Sequence, residues 1–351
     1  MRLACLAACL SIAFAAQAAG DRIVTATEHG TYVEIGRDLS RLIAAPAGIR
    51  LAVSTSQGSA DNVRRLRDEP GVRLALVQAD VVDAFLRQAA AGNAQAAHLV
   101  APLRVVMPLY DEEIHFVVRA DSPLRFVHEI RGRRINVGPL GSGTALTATN
   151  AYATMFGSAL PAGIARFDSN EDALLHLTTD RSVDVVVVVA GQPARLFAEM
   201  KPQARQLIRL LEVDPAAPES VALADSYVPA TIRAGSYPSW LGQDVPALAV
   251  KSLLVTRDWQ APRLREELVR LARAMCVGFG RLREDGHRKW REVEFDQPAL
   301  PGGWEYYAPT HRVLANCPQL READALAYNT TPHKAARPTA CAPGACRLAS
   351  R

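Results

Sequence analysis

Cysteine is scarce in this chain, six in 351 residues, and Cys5 and Cys9 fall in an N-terminal apolar stretch. The remaining four, Cys276, Cys317, Cys341 and Cys346, include one close pair with no second pair to match it, which argues against a zinc site. Charge of one sign is also lacking. Forty Lys and Arg stand against 36 Asp and Glu, and no basic run exceeds Arg131-Gly132-Arg133-Arg134, so electrostatics argue against a nucleic-acid partner. Beyond the N-terminal stretch no uncharged run approaches the roughly 20 residues that cross a bilayer. Enzyme motifs are missing too. Gly138 to Thr144 has phosphate-loop glycine spacing, but Thr144 stands where that motif needs Lys. Gly141-Ser142-Gly143 lacks the residue that a nucleophile elbow places on each side of its serine. The eight histidines form no H-E-x-x-H group.

What is present is ordinary globular composition, 49% hydrophobic and 22% charged. Arg2, the apolar stretch Leu3 to Ala16 and Ala16-Gln17-Ala18 form an export signal over residues 1–19, with cleavage near Ala18. A periplasmic address follows. The roughly 330 residues left exceed one usual core, so two lobes are expected. In an oxidising compartment four cysteines suggest two disulfides with three connectivities, and Cys276–Cys317 with Cys341–Cys346 is preferred. That choice leaves one bridge between packed elements and one inside the irregular tail at about 329–351.

The chain alternates short β-branched runs with helical periodicity, the signature of α/β architecture. Ile23 to Thr27, Ile49 to Val53 and Val72 to Val77 read as strands, each followed by a helix. Val105 to Tyr110 and Ile114 to Arg119 read as two strands separated by Asp111-Glu112-Glu113. Arg134 to Val137, Val183 to Val189 and Ser252 to Val255 are further strands, and Pro262 to Cys276 is a helix with Leu264, Leu268, Leu271 and Met275 on one stripe. The Pro-, Ser- and Tyr-rich text from Asp214 to Pro246 reads as the return crossing between lobes.

Loops of Gly, Ser, Thr or Gln join strand to helix repeatedly, at the strand ends where open α/β sheets bind ligands. Unpaired amides and the helix dipole there favour an anion, with Gly58-Ser59 and Ser142-Gly143-Thr144 the clearest cases. Plain N-capping explains most such residues taken singly. Glu28, Asp80 and Asp168 stand at strand ends where an acid could take a ligand ammonium, though most such acids are solvated loop residues. His29 is the one histidine placed near a cleft. Trp304-Glu305-Tyr306-Tyr307 reads as packing of a C-terminal segment onto the core.

The stretches Gly30-Thr31-Tyr32, Ser56 to Asn62, Leu76 to Val81, Leu109-Tyr110, Ile114 to Arg119, Val137 to Thr144, Tyr227 to Ile232 and Val245 to Leu248 resemble, in order, the TAXI family of solute receptors for TRAP-type transporters. The resemblance spans about residues 22 to 260. It implies a type II-like periplasmic binding protein of two α/β lobes, with mostly parallel central sheets and a hinge of crossing strands. It implies capture of a small carboxylate or glutamate-like amino acid, without cofactor or metal, and delivery to a TRAP membrane permease. Carried onto this chain, the ligand-lining residues are Thr31, Tyr32, Ser56, Gln57, Gly58, Ser59, Gln78, Asp80, Ser142, Gly143, Thr144 and Gln192. The expected lobes are 20–118 plus 235–351, and 119–234. Tyr32 would pack over the ligand's carbon chain, and Asp80 or Glu28 would take an ammonium group. Two alternatives stand beside this reading: a receptor serving a membrane signalling protein, and a secreted hydrolase with Ser142 as nucleophile.

Overall fold

Three strand–turn–helix units open the fold in the computed structural model, which describes residues 21–320. They are β1 (Asp21–Val24) with α1 (Thr31–Asp38), β2 (Leu51–Ser54) with α2 (Ser59–Asp68), and β3 (Val72–Gln78) with α3 (Ala79–Ala90). A short helix α4 (Ala94–Val100) follows. The strands pair in parallel in the order β2-β1-β3, so all three helix starts gather at one end of the sheet. The expected signal at 1–19 and the expected Cys341–Cys346 bridge lie outside the described residues.

β4 (Leu103–Arg119) then leaves this first lobe for the second. There β5 (Ile135–Asn136), α5 (Gly143–Phe156), β6 (Ala165–Arg166), α6 (Asn170–Thr178) and β7 (Val185–Ala190) repeat the same alternation. β5 pairs in parallel with both β6 and β7. All six residues of β7 are buried, as befits a Val run covered on both faces. β8 (Ile208–Leu210) adds to β4, and β9 (Val228–Ile232) adds to β10 (Val245–Arg257).

The two long strands make the hinge. β10 is antiparallel to β3 at one end and to β4 along its length, while β4 is antiparallel to β7. One mixed sheet therefore runs through both lobes, parallel in its wings and antiparallel at the crossing. This is the α/β periplasmic-binding-protein fold.

Two expectations change here. Asp111-Glu112-Glu113 does not separate two strands, because β4 passes through it unbroken, paired with β10 from Leu103↔Arg257 to Glu113↔Ala249. With both flanking runs strand-forming and no Gly or Asn between them, nothing reverses the chain. The return crossing is likewise β10 itself, while the segment before it forms a helical turn (Pro218–Leu223) and β9.

In the first lobe the helix Pro262–Asp285, longer than its sequence pattern implied, lays Leu268, Leu271, Met275 and Phe279 against Leu39, Leu76 and Leu254. In the second, Phe116, Ile135 and Val187 pack on Ala148 and Tyr152. A disulfide links Cys276 to Cys317 across 41 residues with both sulfurs in the core, as the sequence favoured. Closing a loop of that length contributes about 4 kcal/mol in the chain-entropy view. Trp304 to Tyr307 packs as expected: at the β4 edge the Val105 N–H donates to Glu305 O and Val105 O accepts from the Tyr307 N–H, and the Trp304 indole donates to Asp83. Among the described residues no helix is long and apolar enough to cross a membrane, and no His, Cys, Asp or Glu group could hold a metal.

Candidate functional site

Each lobe turns the starts of its helices toward the other. Between them lies a cavity of about 100 Å³. The starts of α1 and α2 and the residue preceding α3 line it from the first lobe, and the starts of α5 and α6 from the second. The first-turn amides of a helix have no intrahelical acceptor and carry the positive end of its dipole. Among the described residues no Lys or Arg lines the cavity, and these helix starts supply positive potential there.

The two glycine loops meet directly. Gly58 has φ +117°, a conformation only glycine adopts readily, and a Cβ there would sit 3.2 Å from the Gly143 nitrogen. A Cβ on Gly143 would fall 1.7 Å from Gln78 Oε1 and 2.7 Å from Ser59 Oγ. The Asp61 N–H donates to Gly141 O (3.1 Å) and the Thr31 hydroxyl to Gly191 O (2.9 Å), both across the cleft. The lobes are therefore shut.

Nine of the expected residues line the cavity: Thr31 and Tyr32, Gln57 to Ser59, Gln78, and Ser142 to Thr144. Several have internal duties as well. Ser59 Oγ accepts from the Gln78 N–H (3.1 Å), Ser142 Oγ caps α5 by accepting from the Ala145 N–H (3.0 Å), and Thr144 Oγ1 accepts from the Val189 N–H (3.3 Å). The Ser142 and Thr144 hydroxyls each retain a proton to donate, while the Ser59 hydroxyl also donates to Gln78 Oε1 (3.4 Å). With its oxygen capping a helix, Ser142 has no imidazole among its hydrogen-bond partners, which removes the support for a nucleophilic role.

Ser56, Asp80 and Gln192 are placed elsewhere. Ser56 Oγ lies 2.6 Å from Asn62 Oδ1 and accepts from the Gly58 N–H (3.0 Å), while Asn62 donates to Leu76 O (2.7 Å), tying α2 to the sheet. Asp80 is buried behind the cavity, accepting from the Tyr227 hydroxyl (3.1 Å) and facing Thr147. Burial raises its carboxyl to about 6, against the opposing hydrogen bonds of Thr147 and Tyr227. Gln192 uses its whole amide in the hinge, donating to Glu113 (2.9 Å) and Thr231 O (2.8 Å) and accepting from Arg233 N–H and Ser236. Glu28 pairs with Arg37 at the surface, and Asp168 engages Asn136 through its backbone. Neither lines the cavity, whereas His29 does.

Sequence reasoning missed Glu112. It lines the cavity at 3% exposure, and its Oε2 has no hydrogen-bond partner among the described residues. Burial raises its carboxyl to about 8, with the Tyr32 hydroxyl and Lys289 opposing and the charges of Glu113 and Asp80 adding. The sequence offered no signal for it, because three consecutive acids resemble a turn between strands, whereas the structure places Glu112 inside the unbroken β4. Glu113, next in sequence, accepts from Lys289 Nζ (2.6 Å) and from both nitrogens of Gln192, and Lys289 also meets Glu292 (2.9 Å). His115 is fully buried beside this network, its imidazole lowered to about 4 chiefly by burial.

Among known proteins, the model of the NMT1-like family matches residues 23–275. Solved structures overlap more loosely. The alkanesulfonate-binding protein SsuA from Xanthomonas axonopodis pv. citri, bound to MOPS, is 15% identical, with 88% of this chain and 92% of that one covered and a TM-score of 0.43. The arginine-, lysine-, histidine-binding protein ArtJ from Geobacillus stearothermophilus is 12% identical, over 80% and 97%, with a TM-score of 0.44. The CA3427 gene product of Candida albicans, which has the generic periplasmic binding protein fold, is 10% identical over 88% and 90%, with a TM-score of 0.47.

Proposed function

The chain belongs to the NMT1-like family, and on that premise we propose that it is a periplasmic solute-binding receptor that closes its lobes on a small carboxylate-bearing solute. The carrying observation is the convergence of helix starts from both lobes on one cavity that, among the described residues, no Lys or Arg lines. The first-turn amides that cap bonds leave over, with the hydroxyls of Ser142 and Thr144, form an anion cradle. Tyr32 supplies an aromatic wall for the carbon chain. Binding is capture without covalent change, a shift between open and closed populations about β4 and β10.

Delivery to a TRAP-type permease is the finer part of this reading, supported by the ordered resemblance to TAXI receptors and by the export signal. The test is a thermal-shift screen of the purified mature protein against small carboxylates and amino acids. A true ligand at a hundred times its dissociation constant adds about 2.7 kcal/mol of stability. A broad panel in which no acid raises the melting temperature overturns the reading.

A further inference from the structure

Glu112 and Glu113 are consecutive on β4, so their side chains point to opposite faces. Glu113 has its counter-charge in Lys289, 2.6 Å away. Glu112 has none. Its buried Oε2 faces the Tyr32 hydroxyl, which is also buried, and neither atom makes a hydrogen bond of standard geometry. A buried carboxyl on a cavity wall, with a single hydroxyl facing it and no bond of standard geometry to its Oε2, retains the capacity to accept from an occupant.

The charged and titratable groups around Glu112 set the occupant's sign. They are Tyr32 on α1, Asp80 on α3, Tyr110 and Glu113 on β4, and Lys289 from the turn Arg288–Glu292. Lys289, the single cation of this set, is already shared by Glu113 and Glu292. His29 and Glu171 complete the ionisable groups of the lining. A second ligand carboxylate would meet acids with no free cation, whereas a ligand ammonium would find an unpaired carboxyl beside a hydroxyl.

We propose that Glu112 is the ammonium-accepting residue of the cavity, so that the solute is a small amino acid without net negative charge, its carboxylate at the helix starts and its ammonium on Glu112 and Tyr32. This rests on the capture reading and narrows its substrate class. It moves the ammonium site from Glu28, which Arg37 occupies, and from Asp80, which lies behind the wall, to a residue 3% exposed on the wall itself. Burial raises the Glu112 carboxyl to about 8 and so favours its protonated form. The arriving ammonium displaces that proton to solvent and leaves an ion pair.

The experiment is titration calorimetry of the unmutated mature protein at pH 6.5, with amino acids each paired with the carboxylic acid that lacks its amino group, plus succinate and 2-oxoglutarate. The best amino acid should bind at least tenfold more tightly than its deaminated partner and than either dicarboxylate. Its binding enthalpy should vary with the buffer's ionisation enthalpy, as proton release requires. In Glu112→Gln the preference should fall below threefold. If that variant does not fold, the unmutated comparison decides alone. A deaminated acid or dicarboxylate that binds as tightly as any amino acid overturns the assignment while leaving carboxylate capture intact. Binding by no acid of either kind overturns both.

Discussion

Two buried acids one residue apart show how differently this molecule uses polarity. Glu113 accepts hydrogen bonds from Lys289 and Gln192 on the hinge side of β4, while Glu112 on the cavity side keeps an oxygen unpartnered. A satisfied buried network fixes geometry, here the joint between two lobes. An unsatisfied one costs the empty protein stability and is repaid when an occupant arrives. Burial alone therefore does not mark a binding residue, but burial combined with a missing partner on a cavity wall does.

The largest effect should come from breaking the satisfied side. Lys289→Met leaves Glu113 buried without its ion partner, and urea unfolding should register a loss of about 3–5 kcal/mol. Adding Glu113→Gln should recover a substantial part of it, because the stranded charge is removed. An equal loss in single and double variants would mean that Lys289 matters for packing alone.

Gly143→Ala should act on the cavity side. Its Cβ would strike Gln78 and Ser59 of the opposite lobe, so solute affinity should drop about tenfold or more, near 1.4 kcal/mol. The melting temperature of the empty protein should change little, since each lobe keeps its own core. Unchanged affinity would mean the lobes close without that approach.

Glu112→Gln should not destabilise the protein at neutral pH and should raise its stability, because it removes no satisfied partner and lifts the cost of keeping a buried acid protonated. Its clearer trace is in pH dependence. With the folded carboxyl raised from 4.5 to about 8, the native state holds a proton that the unfolded chain has lost across that window. Stability of the empty protein should therefore fall as pH rises through it and level off above 8. Asp80, raised from 3.8 to about 6, adds the same trend lower down. Melting curves should flatten between pH 6 and 8 in Glu112→Gln and between pH 4 and 6 in Asp80→Asn. Curves parallel to the unmutated protein would place these carboxyls in water.

Much of the architecture was legible because it rests on local signals. β-branched runs ending in Gly-Ser or Ser-Gly-Thr loops announced the strand–turn–helix units, and two of those loops, at Gly58 and Gly143, are the ones that touch. The Cys276–Cys317 bridge followed from a cysteine on a strongly periodic helix. Glu112 was hidden because three consecutive acids resemble a turn, and what holds them inside a strand comes from far away. β10 supplies the pairing edge, and Lys289 supplies the charge 176 residues beyond Glu113. Gln192 and Ser56 were misplaced for a related reason. An amide or hydroxyl at a strand end looks available for a ligand until its partners are known, and theirs are Glu113, Thr231 and Asn62.

Capture between the lobes is tested most directly by hydrogen exchange at the amides of Ser59–Asp61 and of Gly143–Ala145, with and without the most stabilising solute. Interlobe capture predicts that protection rises at both sets together, with matching dependence on solute concentration. Protection confined to one set, or unchanged at both, would contradict it.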